Sequence, residues 1–184
     1  MAGTVSRIKL LQAITFFVSR TTHCGKAKLY WLLYLLDFKV YAAIAKPVTG
    51  LDYYASVDGP VPLMLDRELA SPDYDFVEQF HVENLVLEHG RTLLTLRARG
   101  PFEPAVFSEF EMSTMDYLAT VHQASAARSI VEKALLPSEP WRFTYESAAR
   151  ELAPIDYALA RPYTPVPDVA RVFNSHRRQR VRTA

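Results

Sequence analysis

The sequence predicts an α+β fold, mostly helical: a compact helical domain with one small antiparallel β-hairpin. An apolar run from Ala27 to Ala45 keeps Leu29, Leu32, Leu33, Leu36, Val40 and Ile44 on the helical period. Short runs of β-forming residues flank a tight-turn pair, His89-Gly90. A third signal, Ser108-x-x-Glu111, is a capping box at the head of another helical stretch. With 184 residues, of which 49% are hydrophobic, the chain can build one full core, and two independent domains would be cramped.

Taken in order, Ile8 to Val18 reads as an amphipathic helix capped by Ser6 and burying Leu11, Ile14 and Val18. The polar, basic Ser19-Arg20-Thr21-Thr22-His23 behind it supplies no small-residue cleavage site, so a secretory signal is not the expected reading. The run from Ala27 is apolar on nearly every side, which suits the central helix of a core. A membrane span of similar length competes, but Asp37 and Lys39 would each cost roughly 2.5–3.5 kcal/mol near the middle of an inserted helix. Lys46-Pro47 forces an extended exit, because proline disfavours helical geometry in the residue before it. Gly50 and Gly59 permit bends, and Pro60 and Pro62 suit the first turn of a helix through Leu63, Leu65 and Leu69. Strands are expected over Phe80–Glu88 and Arg91–Arg97. Gly100-Pro101-Phe102-Glu103-Pro104 breaks regular structure, then a helix runs from Glu109 to His122 and buries Met112, Met115, Leu118 and Ala119. A further helix starts near Ser125, buries Ala127, Ile130, Val131 and Leu135, and stops at Pro137. This organisation gives a domain over residues 1–160 and a Pro/Arg-rich tail over 161–184, too poor in apolar residues to add to a core.

The single cysteine, Cys24, excludes an internal disulfide and fits a reducing, cytoplasmic setting. His23, His81, His89, His122 and His176 show no pair at metal-ligand spacing, so no metal is expected. Cys24 has no recognisable activating base, and the six glycines are scattered singly rather than gathered into a phosphate-binding loop. No catalytic set and no cofactor are therefore expected, and the chain reads as a non-enzyme. Asp37, Asp52 and Asp58 flank one loop. Their simplest roles are an ion pair on the helix's polar side for Asp37 and turn-forming side-chain hydrogen bonds for Asp52 and Asp58. Tyr30, Trp31, Tyr34, Tyr53 and Tyr54 form an aromatic cluster suited to a core. Alternate residues of an extended strand point opposite ways, so one of Tyr53 and Tyr54 should face outward, where aromatic anchors favour a partner surface. Charge is uneven: over residues 162–184, Arg171, Arg177, Arg178, Arg180 and Arg182 face only Asp168, a formal +4 within a net +1, which leaves −3 on residues 1–161.

The run Lys28-Leu29-x-x-Leu32-Leu33-Tyr34-x-x-Asp37-Phe38, the Pro47-x-Thr49-Gly50 turn with Tyr53 behind it, and Gly59-Pro60-Val61-Pro62 resemble the SocA-like Panacea antitoxin domain. The resemblance covers about residues 8–160, with its specific part at 28–69. Phe107-Ser108-x-x-Glu111 and Ser138-Glu139-Pro140-Trp141 are similar to the family's closing pattern. Leu136-Pro137-Ser138 stands where that pattern commonly has a His. The resemblance implies a bacterial or phage-type antitoxin that neutralises a cognate toxin by stoichiometric binding, the toxin being encoded next to it. Family toxins are of many unrelated kinds. An adaptor that delivers the toxin to a protease, or a DNA-binding autoregulator working through the basic tail, are the alternatives. The tail offers charge but no base-reading motif, so nucleic acid is not the expected partner, nor is a membrane. The candidate partner-binding residues are Tyr53, Tyr54, Asp58, Pro60 and Val61.

Overall fold

The computed structural model describes residues 6–86, 92–125 and 140–160. Helix α1 (Arg7–Arg20) and helix α2 (Lys26–Ile44) lead into a hairpin of β1 (Tyr54–Ser56) and β2 (Gly59–Val61). Helices α3 (Leu63–Ala70) and α4 (Tyr74–Gln79) follow, then a second hairpin of β3 (Phe80–Val86) and β4 (Thr92–Ala98). Helices α5 (Glu109–His122) and α6 (Pro140–Ser147) and a short strand β5 (Ala153–Pro154) complete the described chain. The mostly helical α+β class holds. The helix expected between Ser125 and Leu135, the His89-Gly90 turn and the tail from 161 lie outside the described residues.

Helix α2 is buried nearly all the way round, with Leu29, Trp31, Leu32, Leu33, Tyr34, Leu36 and Val40 inside the core. That explains why its apolar residues are not confined to one stripe. Among the described residues no helix is long and apolar enough to cross a membrane. Helix α1 packs against α2, α5 and β4, so its inner surface is wider than the predicted face. Leu10, Ala13, Ile14, Phe16 and Phe17 are buried, while Leu11 and Val18 sit half-buried at the core's edge. Ser6 holds the cap position without a side-chain cap bond; its backbone N–H donates instead to the Thr49 carbonyl at 2.9 Å.

The Gly59-Pro60 corner does not open a helix. Pro60 lies in β2 opposite Ala55, and only Pro62 stands at the head of α3. An outer strand accepts proline because its outward-facing N–H has no ladder partner to lose. β1 is the middle strand of a three-stranded sheet in the order β2-β1-β5, a sheet the sequence pattern had not separated from the loop. Gly59 has a φ of +124°, and a Cβ there would stand 2.5 Å from Trp31 Nε1. The corner therefore needs glycine both for its backbone and for the indole lying against it.

The second hairpin pairs Phe80 with Ala98 through to Val86 with Thr92. The capping box forms as expected: Ser108 Oγ accepts from the Glu111 N–H at 3.3 Å, and Glu111 accepts from the Ser108 N–H at 2.8 Å. Lys9 on α1 donates to both Glu111 oxygens at 2.6 and 2.7 Å, so one carboxylate caps α5 and ties it to α1.

Gly59→Ala should destabilise the fold by about 2–4 kcal/mol, read as a lowered urea midpoint, since backbone strain and overpacking act together. A second expectation concerns acid. Burial pushes the Glu111 carboxyl up, but Lys9 and the Ser108 N–H outweigh it and hold the group below its usual range. A group depressed in the folded state contributes stability above its unfolded value, and that contribution is lost as pH falls through the folded value. The gap in unfolding free energy between wild type and Glu111→Gln should thus be full above about pH 5 and close below about pH 4.

Candidate functional site

The loop after α2 is organised by a carboxyl group that meets no cation among the described residues. Asp37 is fully buried, which corrects the expected ion pair on a polar helix side. Its Oδ1 accepts the backbone N–H groups of Val48 at 2.8 Å and Thr49 at 2.7 Å. Its Oδ2 accepts the Thr49 hydroxyl and, at 3.0 Å, the Tyr53 hydroxyl. The Tyr157 hydroxyl lies 3.3 Å from Oδ2 and donates to the Leu51 carbonyl at 2.7 Å. Burial pushes the Asp37 carboxyl up, opposed by these donors, and burial together with Asp37 raises the Tyr53 and Tyr157 phenols far above their ordinary range. Both phenols therefore stay protonated and available as donors. With its oxygens occupied by protein groups, Asp37 acts as an internal acceptor for the loop and is closed to any ligand.

Proline and glycine explain why the loop can wrap a side chain. Ala45 ends α2 in the left-handed conformation, at φ 55°, and Pro47 keeps the exit extended. Gly50, at φ 75°, turns the chain back so that Tyr53 points inward. Aromatic rings close around it: Phe38 stacks on Tyr157 with centroids 4.5 Å apart, and Tyr34 meets Tyr53 edge-on at 5.5 Å. Helix α6 is pinned on the same structure. Trp141 donates its backbone N–H to the Tyr34 hydroxyl at 3.0 Å and its indole N–H to the Ser56 carbonyl at 3.1 Å.

With Tyr53 committed inward, the pleat sends Tyr54 out. Antiparallel register places Tyr54 opposite Val61 on one side and Pro154 on the other, and directly opposed residues share a face. Tyr54 and Val61 are half-buried, Val61 packing against the core, and Pro154 is exposed, whereas Ala55 and Pro60 in the next row are buried. The result is an outward row, Val61–Tyr54–Pro154, across the whole sheet. Exposed Asp52 lies two residues before Tyr54, and Val57 and Asp58 form the exposed hairpin tip. The Ser56 hydroxyl organises that tip, donating to the Gly59 carbonyl at 2.9 Å and accepting from the Asp58 N–H at 3.3 Å. The Asp52 and Asp58 carboxylates accept no hydrogen bond among the described residues, which corrects their expected turn-forming role.

Of the five predicted contact residues, the structure brings Tyr54 and Val61 together on the outer face and sets Asp58 at the tip. Tyr53 and Pro60 are buried and present no face to a partner in this conformation. Pro154 was missed because β5 is only a two-residue strand, and Tyr157 because nothing local marks its link to a loop 106 residues earlier. The described residues contain no group of His, Cys, Asp or Glu arranged to hold a metal. No family model, curated protein or solved structure matches the chain.

Asp37→Asn should cost about 2–4 kcal/mol in urea unfolding, because an amide N–H₂ would meet the donors that now point at a carboxylate oxygen. Tyr157→Phe should cost about 1 kcal/mol, the net worth of an ordinary buried hydrogen bond.

Proposed function

We propose that the chain is an antitoxin that neutralises a cognate toxin by direct protein–protein binding through the outer face of the β2-β1-β5 sheet. The observation that carries this is the row Val61–Tyr54–Pro154, a half-buried aromatic between Val61, which packs on the core, and the exposed Pro154. Tyrosine in such a setting offers large contact area at low entropic cost and is enriched among residues that dominate binding energy. Asp52 and Asp58 border the row with negative charge, in keeping with the formal −3 of the body, and favour a toxin with a basic surface around an apolar patch. The sequence resemblance to the SocA-like Panacea domain supplies the class of partner, and neutralisation needs only that the complex cover or distort the toxin's working surface.

Both outer strands of this sheet carry a proline, Pro60 in β2 and Pro154 in β5, so a partner strand finds poor edges there and contact is face-on.

Co-expression with the product of the neighbouring gene should restore growth and yield a complex that co-purifies. Tyr54→Ser should weaken that complex by roughly thirtyfold, about 2 kcal/mol, while leaving the thermal unfolding midpoint close to wild type. A toxin level that stays constant in rescued cells would accompany inhibition by binding, whereas protease-dependent loss of the toxin would assign delivery instead. Undiminished binding by Tyr54→Ser and Val61→Lys would remove this face from the interface.

A further inference from the structure

We propose that β3 pairs edge to edge with the same strand of a second copy of this chain, giving a two-fold dimer with a continuous four-stranded sheet. The hydrogen-bond alternation of the hairpin leads there. The Arg99 N–H donates to the Gln79 carbonyl at 2.9 Å, which makes Gln79 and Arg99 a bonded pair of the antiparallel ladder. Continuing that phase along the register, His81 bonds with Arg97, Glu83 with Thr95 and Leu85 with Leu93. The backbone groups of Val82, Asn84 and Val86 must then point away from β4. The opposite edge of β4 shows the same phase, since its outward groups at Leu94 and Leu96 flank the bridge between Thr95 and Gly25.

The two edges of this hairpin are treated differently. The β4 edge lies along the start of α2 and against α1. At β3, Phe80 is satisfied, its N–H bonding the Phe76 carbonyl and its own carbonyl accepting from Arg99 Nε at 3.3 Å. Beyond it, the backbone N–H and C=O groups of Val82, Asn84 and Val86 have no partner among the described residues, and Asn84 and Val86 are exposed. Phe80–Val86 contains no proline and no lysine, and its one acid, Glu83, is already paired with Arg97 of the same hairpin.

The occupant is fixed by self-complementarity. An antiparallel copy centred on Asn84 sets Asn84 against Asn84, Val82 against Val86 and Val86 against Val82. Every outward-pointing residue then meets another, so each pair exchanges both backbone bonds. Glu83 faces Leu85 of the second copy rather than another acid. Its charge is already met within its own hairpin by Arg97 at 3.1 Å. The edge therefore joins a copy of itself without setting like charges directly opposite each other.

The test uses the full chain. Sedimentation equilibrium should show a concentration-dependent dimer. Asn84→Pro, which removes only an N–H that β4 does not use, should weaken self-association at least about tenfold. Should that variant fail to fold, Asn84→Lys serves, since it opposes two cations across the axis and leaves the hairpin's own ladder alone. Asn84→Cys gives a positive reading: bonded antiparallel pairs hold their Cα atoms about 5.5 Å apart, within disulfide reach, and Cys24 is buried. Mild oxidation should cross-link Asn84→Cys into a covalent dimer much faster than Glu83→Cys, whose counterpart is Leu85. A monomer at all concentrations would overturn the proposal, as would equal dimerisation by Asn84→Pro or equal cross-linking at 83 and 84. Loss of toxin binding by Asn84→Pro in a chain that is otherwise monomeric would overturn it too, assigning the edge to a toxin strand.

Discussion

One buried carboxyl group, that of Asp37, holds this fold in register. Asp37 sits at zero exposure on the central helix, and among the described residues its oxygens meet N–H and O–H groups and no cation. Isolating a carboxylate from water costs several kcal/mol even after relaxation, so the donors must be placed accurately to make burial tolerable. Two come from consecutive backbone amides of the loop, one from a threonine in it and one from a tyrosine behind it. The arrangement is not local: Tyr157 reaches the same carboxylate and the Leu51 carbonyl from the far end of the described chain. One side chain thereby joins the central helix, the loop that leaves it and the closing segment.

The geometry of the small sheet follows from that commitment. Because Tyr53 must point at Asp37, the pleat leaves Tyr54 no choice but the other face, and β1 becomes the strand on which β2 and β5 register. Trp31 and Gly59 secure the opposite margin, the indole lying where any side chain on that glycine would stand. Trp141 adds a clamp from α6 through the Ser56 carbonyl. The outward tyrosine is thus held by a packed core rather than by a free loop, which lowers the entropy that a partner must recover on binding.

The sequence was readable wherever a pattern was long or its chemistry local. The all-round apolar run of α2 gave its bounds to within a residue, and Ser108-x-x-Glu111 placed the head of α5 at the right residue, because a capping box needs nothing beyond one turn. The β3-β4 hairpin was legible from its β-formers. Failures came where tertiary contact overrode a local preference. Gly59-Pro60 looks like a helix start, yet pairing with Ala55 makes it a strand. Asp37 looks like one half of a surface ion pair, because nothing in its neighbourhood discloses that donors return to it from 11 to 120 residues away. The same blindness touched the site: alternation required that Tyr53 and Tyr54 face opposite ways, but only the carboxylate decided which one faced in.

The two sheets also handle their margins in opposite ways, and the contrast is informative. In the β2-β1-β5 sheet both outer strands are very short and contain proline, so the sheet is closed to strand addition and open only on its face. In the β3-β4 hairpin one margin is covered by helices, while on the other the outward amides and carbonyls of Val82, Asn84 and Val86 have no partner among the described residues. A chain that could not tolerate an open edge would be expected to blunt the longer strand first, since the longer edge is the greater aggregation hazard. Here the shorter edges carry proline, and among the described residues the longer one is open beyond Phe80. Covering β3 with a strand of matching phase resolves that imbalance, and a second copy supplies the phase without any further sequence requirement. It also leaves the tyrosine face of the other sheet free in both copies, so binding a partner and pairing with a copy draw on separate strands.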